Sequence, residues 1–180
     1  PAALEFIDPK QCAILRDHAG LDLEEKPTLF MEFHATHPAA LEAGLQTVRE
    51  ICEEMGASGF KATMDNAERA RLWHARHHAY ETLVRVHPGK TFFINDVAVP
   101  ISAYPDLISY VEETVAAHGM HAFMKGHAGD GNIHVEFPYA DDAEFAQVMH
   151  VNDLIVTRAI ELGGTATGEH GVGIGKAHHM

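Results

Sequence analysis

The sequence predicts an α+β domain, in which helices pack on an antiparallel sheet built from split βαβ units, as in ferredoxin-like folds. Two observations support this prediction. Short strand patterns alternate with helix patterns of moderate length, and the strand patterns include charged residues such as Glu32, Lys61 and Asp96. A doubly wound parallel sheet is the alternative, but parallel strands are normally buried on both faces, which disfavours charge within them.

In the first half of the chain, apolar alternation and aromatic residues predict strands over residues 4–7, 28–35 and 59–64. Helical spacing of apolar residues predicts helices over residues 9–18, 38–55 and 66–84. Gly20 and Gly56 end the first two helices, and Asp65 or Asn66 caps the third.

In the second half, the same criteria predict strands over residues 91–99, 120–127 and 132–137. Helices are expected over residues 104–118 and 141–162, and Gly163 ends the second. A glycine-rich loop, TATGEHGVGIGK, then occupies residues 165–176.

The composition narrows the class of protein. A formal net charge of −13 disfavours nucleic acid as a partner, because an acidic surface repels phosphate backbones. Cys12 and Cys52 form no CxxC pair, which disfavours a disulfide framework and fits a reducing, cytoplasmic compartment. No apolar run approaches the ~18 residues of a membrane span. The 15 histidines outnumber the 13 lysines and arginines, and histidine is the commonest metal ligand.

Residues 127–134 (HAGDGNIH) predict a hairpin with a histidine on each strand. Asp130-Gly131 is typical of a two-residue type I′ turn, which would place His127 directly opposite His134. Opposed residues share a face of the sheet, so the two imidazoles could converge on one cation. A one-residue slip would send them to opposite faces. A stacked or hydrogen-bonded histidine pair is the alternative.

The glycine-rich loop carries a carboxylate and an imidazole side by side, at Glu169 and His170. Glu169 could supply the third ligand of a catalytic metal site that keeps an open position. His170 could then act as a general base, because imidazole titrates near neutral pH. The motifs GxxxxGK[ST], GxGxxG and HExxH are absent from the sequence. A glycine loop without chemistry is the alternative.

Together these two segments resemble the HxGDGNxH and TGEHGxGxxK motifs of the C-terminal domain of FAD-linked oxidases of the vanillyl-alcohol oxidase type. That family includes flavin-dependent and cytochrome-linked D-lactate dehydrogenases and the glycolate oxidase flavoprotein subunit. Shorter matches at residues 3–8, 72–76 and 96–100 extend the resemblance over most of the chain. The resemblance implies that residues 1–180 are part of a substrate-binding domain, and that the flavin-binding domain lies N-terminal to it, outside this chain.

The resemblance also implies roles for single residues. His127, His134 and Glu169 would bind a divalent metal, zinc or manganese. His170 would take the hydroxyl proton of a 2-hydroxy acid while hydride leaves C2 for FAD. The physical logic agrees, because a Lewis-acidic metal on the 2-hydroxyl lowers its pKa.

By the same resemblance, Arg76 and Asn132 would hold the substrate carboxylate and hydroxyl, since a guanidinium binds a carboxylate bidentately. Gly171, Gly173 and Lys176 are the candidates for contact with the flavin.

Ile94 and Tyr80 stand where hydroxyglutarate-oxidising members of the family carry lysine and threonine. Both differences favour a small or apolar substrate side chain, as in D-lactate or glycolate. The resemblance further implies an electron acceptor (a cytochrome, a quinone or an electron-transfer flavoprotein). It is compatible with a homodimer and with a peripheral location at the inner membrane.

Two other functions remain open at this point. A metal-dependent hydrolase could use His127, His134 and Glu169 on water and would need no flavin. A binding module would hold metal or substrate without turning it over.

Overall fold

A computed structural model describes residues 1–173 and 175–179, and within them the chain forms a five-stranded antiparallel sheet with helices packed on it. The strands are β1 (Ala3–Ile7), β2 (Thr28–Glu32), β3 (Thr91–Ala98), β4 (Phe123–His127) and β5 (Asn132–Tyr139). The helices are α1 (Pro9–Ala19), α2 (Pro38–Glu54), α3 (Asn66–His77), α4 (Ala79–Val86), α5 (Tyr104–Ala117) and α6 (Asp142–Glu161). None of these helices is both long and apolar enough to cross a membrane.

The strand order is β2-β1-β4-β5-β3, and each neighbouring pair is antiparallel. Since β3 and β4 both run antiparallel to β5, which lies between them, β3-α5-β4 is a split βαβ unit. After α6 the chain returns to the outer edge of β3, where Thr165 forms an antiparallel bridge with Ala98. This bridge completes a ferredoxin-like order and confirms the predicted α+β fold.

The sheet has one apolar face, which α5 and α6 cover. Successive side chains of a strand point to opposite faces, so Ile133, Val135 and Phe137 of β5 share this side and are fully buried. The larger core of the protein joins them to β3, α5 and α6, through Val97, Leu107, Val111, Val148, Val151 and Ile155. Burial of this apolar surface is the main stabilising contribution.

The opposite face of the sheet is polar and carries the charged residues that the strand patterns contained. The strand register aligns Lys125 with His134 and His134 with Asp96, and it aligns Glu5 with His127. A smaller apolar cluster that includes Ile7 packs α1 and parts of α3 and α4 against this side. The candidate functional residues therefore lie on the face opposite the main core.

Two predicted elements are wrong. Residues 59–64 form no strand, and their side chains are mostly exposed, so no buried face stabilises them in a sheet. The helix predicted over residues 66–84 is two helices, because His78 leaves helical geometry (φ −99°, ψ 18°) between α3 and α4. The helix that begins at Pro38 is present, but none of its side chains is buried.

Candidate metal centre

The hairpin between β4 and β5 differs from the predicted two-residue turn. Lys125, not His127, pairs with His134, and the connection is a short 3₁₀ turn followed by Gly131 at φ +72°. The pairing has moved by two residues, and an even shift keeps each side chain on its face. His127 and His134 are therefore diagonal neighbours on the polar face, with ring centroids 5.6 Å apart.

The three predicted metal ligands meet at one point. Nε2 of His127 lies 3.2 Å from Oε1 of Glu169, and Nε2 of His134 lies 3.1 Å from the same oxygen. One ligand atom from each side chain falls within 4.8 Å of the others. His134 is buried, whereas the Glu169 side chain is 51% exposed, so the group has a solvent-facing side. Two imidazole nitrogens and one carboxylate oxygen with an open position are the donors of many catalytic zinc sites.

Each histidine of this group also faces a second carboxylate. Nδ1 of His127 is 2.7 Å from Oε1 of Glu5, and Nδ1 of His134 is 3.4 Å from Oδ1 of Asp96. Metal-bound histidines usually donate their other ring N–H to such a group, which fixes the tautomer and the ring orientation. Burial lowers the pKa of His127, but the hydrogen bond and charge of Glu5 outweigh burial and raise it.

Asp96 ties the glycine-rich loop to β3. Its Oδ2 accepts hydrogen bonds from the backbone N–H groups of Gly168, Glu169 and His170, at 2.8, 3.0 and 3.0 Å. Burial raises the pKa of Asp96, but hydrogen bonds, chiefly from His134 and the His170 backbone, lower it well below its usual range. A Cβ at residue 168 would overlap the amide of Asn132 and the Asp96 carboxylate, so only glycine fits there.

His170 borders the three ligands. Its imidazole stacks on that of His134, with a centroid distance of 4.8 Å and an interplanar angle of 7°. Its Nε2 is 3.8 Å from Oε1 of Glu169, and the side chain is 47% exposed. The candidate base is thus within reach of both the ligand group and an incoming molecule.

Arg76 and Asn132 contact the two acids that face the histidines, Glu5 and Asp96. Arg76 is buried and its guanidinium forms an ion pair with Glu5, while its Nε has no hydrogen-bond partner among the described residues. The Asn132 amide donates to Oδ1 of Asp96 at 2.7 Å and to the Val97 carbonyl at 3.0 Å. Oδ1 of Asn132 is buried without a partner in the described part of the chain.

The three candidates for flavin contact are placed differently from one another. Gly171 and Gly173 are exposed at positive φ (+81° and +54°), with no neighbouring atom within 4 Å of a Cβ built on them. Lys176 is buried, and its ammonium group donates to the main-chain carbonyl of Asp96. Burial lowers the pKa of Lys176.

Sequence reasoning missed the two acids that face the histidines, Glu5 and Asp96. Glu5 interrupts an otherwise apolar strand, Asp96 follows Asn95 in a mainly apolar one, and these charged positions were the available signal. An acid inside a strand whose neighbours are buried needs compensating donors, so it suggests a built polar site.

The fold and the site define an α+β domain with a candidate two-histidine, one-carboxylate metal centre on its polar face. The family model described as FAD linked oxidases, C-terminal domain, matches residues 1–180. The chain belongs to this family.

Two relatives show the likeness in sequence. The chain is 33% identical over 177 residues to a probable mitochondrial D-lactate dehydrogenase of Danio rerio. The aligned region covers 97% of this chain and 35% of the relative. It is 32% identical over 184 residues to the glycolate oxidase subunit GlcD of Bacillus subtilis. This alignment covers 100% of this chain and 38% of the relative. The chain therefore spans just over a third of the length of these two proteins.

A solved structure shows the likeness in fold. The 4-ethylphenol oxidase from Gulosibacter chungangensis, in complex with isoeugenol, superposes with a TM-score of 0.60 over 92% of this chain and 39% of that chain. The sequence identity is 11%, so this likeness supports the fold alone.

Proposed function

We propose that this chain is the substrate-binding domain of a flavin-dependent D-2-hydroxy acid dehydrogenase, which oxidises a small 2-hydroxy acid to the 2-keto acid. The observation that carries the proposal is the convergence of His127, His134 and Glu169 beside the exposed imidazole of His170. Membership of the FAD linked oxidase family supports FAD as the cofactor, bound mainly by a domain outside this chain.

The donor set fits a divalent metal, zinc or manganese. His127, His134 and Glu169 would hold it, and Glu5 and Asp96 already face the histidine nitrogens that a metal leaves free. When bound, such a metal polarises the 2-hydroxyl group of the substrate and lowers its pKa.

His170 is the proposed proton acceptor. Its imidazole lies at the solvent-facing side of the ligand group and can reach a hydroxyl held there. The substrate O–H proton passes to the imidazole, and C2 loses a hydride as the C=O bond of the keto acid forms. When bound, the flavin supplies the acceptor for that hydride.

Arg76 and Asn132 are proposed to hold the substrate carboxylate and hydroxyl. Nε of Arg76 and Oδ1 of Asn132 are buried without a hydrogen-bond partner among the described residues, which supports this assignment. Glu5 already forms an ion pair with one nitrogen of the Arg76 guanidinium. A substrate carboxylate would therefore share that cation with Glu5. Gly171 and Gly173 remain proposed flavin contacts, and Lys176 would act from its buried position beneath them.

The substrate side chain is proposed to be small, as in D-lactate or glycolate. Ile94 lies on the same face of the sheet as Asp96, two residues along β3, and Tyr80 packs edge-on against Phe92 with ring centroids 6.2 Å apart. Neither side chain offers a cation for a second carboxylate.

We further propose a cytochrome, quinone or electron-transfer flavoprotein as electron acceptor, a homodimeric assembly, and a cytoplasmic location, peripheral to the inner membrane.

The first test is the metal content of the purified chain by mass spectrometry, for the unmutated protein and for His134→Ala and Glu169→Ala. His150→Ala on α6 is the matched control, because that histidine lies on the other side of the sheet. We expect near-stoichiometric zinc or manganese, lost in both site variants and kept in the control. Absence of metal after titration with both ions would withdraw the ligand assignments.

The second test joins the chain to its flavin-binding domain and measures reduction of an artificial acceptor with D-lactate and with glycolate. We expect turnover that depends on flavin and is lost in His170→Ala. Hydrolysis of ester or phosphate substrates by the flavin-free chain would instead indicate a metal-dependent hydrolase.

A further inference from the structure

We propose that Asp96 is a positioning residue, which sets the places of Glu169, His170 and His134 without touching the substrate. The roles of those three side chains rest on the proposed function. Their positioning by Asp96 rests only on contacts in the structure. Asp96 is 1% exposed and lies near the end of β3, where β5 pairs with the strand on one side and the Thr165 bridge at Ala98 lies on the other.

The two oxygens of Asp96 serve two different parts of the site. Oδ2 accepts from the side chain of Thr167 at 3.0 Å and from the three backbone N–H groups of residues 168–170. Oδ1 accepts from the Asn132 amide at 2.7 Å and, at the longer distance of 3.3 Å, from the N–H of Glu169, and it faces Nδ1 of His134 at 3.4 Å. One side chain therefore links the loop that carries Glu169 and His170 to the strand that carries His134.

The Thr167 hydroxyl, the three backbone N–H groups and the Asn132 amide all donate to Asp96, so the position requires two acceptor oxygens. An N–H that donates to a carboxylate forms a stronger hydrogen bond than one that donates to a neutral group. The glycine at residue 168 lets the loop approach closely enough for three successive N–H groups to reach one oxygen. The ammonium group of Lys176 on the main-chain carbonyl of Asp96 adds a second tie between the loop and the same residue of β3.

Asparagine at this position fails in either orientation of its amide. With the oxygen toward the loop, the NH₂ group meets the donating amide of Asn132, and Nδ1 of His134 no longer faces a carboxylate oxygen, the kind of group that orients a metal-binding histidine. With the NH₂ group toward the loop, the N–H groups of residues 168–170 lose their acceptor. Asp96→Asn changes almost no volume, so it tests the acceptors rather than packing.

The experiment compares amide hydrogen exchange and zinc affinity in the unmutated chain, Asp96→Asn and Asp8→Asn. Asp8 is the matched control, because it is also 1% exposed and accepts a backbone N–H (Gln11, 2.7 Å) but caps α1. In Asp96→Asn we expect exchange of the amides of residues 168–170 to quicken by ~10-fold or more where their charged acceptor is lost. We expect zinc affinity to fall roughly 10- to 100-fold, the range for lost outer partners of metal ligands.

Asp8→Asn should leave both readouts within about twofold of the unmutated chain, because a loss of general stability alone moves neither selectively. Unchanged exchange at residues 168–170 together with unchanged zinc affinity in a folded Asp96→Asn chain would overturn the proposal, as would equal effects of the two variants. Should Asp96→Asn not fold, the unmutated chain still decides, since unprotected amides at residues 168–170 contradict the hydrogen bonds. If the unmutated chain binds no zinc, the metal centre fails, whereas the exchange result still stands for Asp96.

Discussion

Replacement of Glu5 by glutamine should destabilise the protein far more than an ordinary surface change. Glu5 forms a buried ion pair with Arg76, and the two side chains are 10% and 8% exposed. Its other oxygen binds Nδ1 of His127. A glutamine amide offers one acceptor oxygen and no negative charge, so the Arg76 guanidinium loses its counter-charge.

The expected magnitude follows from the burial. Removal of one partner of a buried ion pair costs about 3–5 kcal/mol, because the remaining charge is left uncompensated. The amide oxygen still accepts one hydrogen bond, which places Glu5→Gln near the lower end, at about 3 kcal/mol. Glu161→Gln is the control: its pair with Arg158 on α6 is 3.2 Å long with side chains 37% and 59% exposed, and its loss should cost below about 0.5 kcal/mol.

Urea denaturation at neutral pH in the presence of a chelator gives the free energy of unfolding without any contribution from metal. Trp73, the single tryptophan, lies on the same helix as Arg76 and reports the transition. Arg76→Met in the Glu5→Gln background should lose less stability than the two single changes summed, since no cation is then stranded. A loss for Glu5→Gln as small as that for Glu161→Gln would refute this account of Arg76.

Three further outcomes are expected. Burial raises the pKa of Asp8 to about 7; the folded state then holds a proton that the unfolded state releases, so stability falls as pH rises from about 4 to 7. Asp8→Asn removes this pH-dependent loss of stability. The difference in free energy of unfolding between Asp8→Asn and the unmutated chain should therefore rise by about 3 kcal/mol from pH 5 to pH 8. Urea denaturation at the two pH values measures this difference. Gly168→Ala should abolish zinc binding with unchanged circular dichroism, because the added Cβ displaces the loop and leaves the core intact; retained binding would contradict this. Gly131→Ala should lower the melting temperature clearly, because residue 131 has φ +72° and its Cβ would overlap the Val99 carbonyl; an unchanged melting temperature would contradict the turn geometry.

The hairpin shows what the sequence could predict about the site and where that prediction stopped. That His127 and His134 share a face followed from strand alternation, which an even change of register preserves. The turn type did not follow, because a glycine at positive φ is compatible with several loop lengths. The placement of the two histidines depended on the first property alone, so the change of turn leaves them on one face, and their binding of a metal stays a prediction.

The roles of Glu5 and Asp96 were beyond local pattern. Their partners lie far along the chain, as in the 122 positions between Glu5 and His127, and spacing within a segment carries no information about such contacts. The same limit explains residues 59–64, whose composition suits a strand although no neighbouring strand receives them. It also explains the helix that begins at Pro38, whose apolar stripe was correctly located but leaves Ile51 53% and Met55 82% exposed.

The candidate centre draws its parts from both ends of the amino-acid sequence, with Glu5 near the beginning and Glu169 and His170 near the end. The ribosome adds these residues at different times. Glu5 is therefore made long before Glu169 and His170. Contacts of such long sequence separation form slowly, because the entropy of closing the loop between them is lost before the contact is gained. The unfinished chain carries many histidines but no assembled trio of ligands. The proposed metal centre would therefore have its complete set of ligands only after residues 127–169 have been made and have folded together.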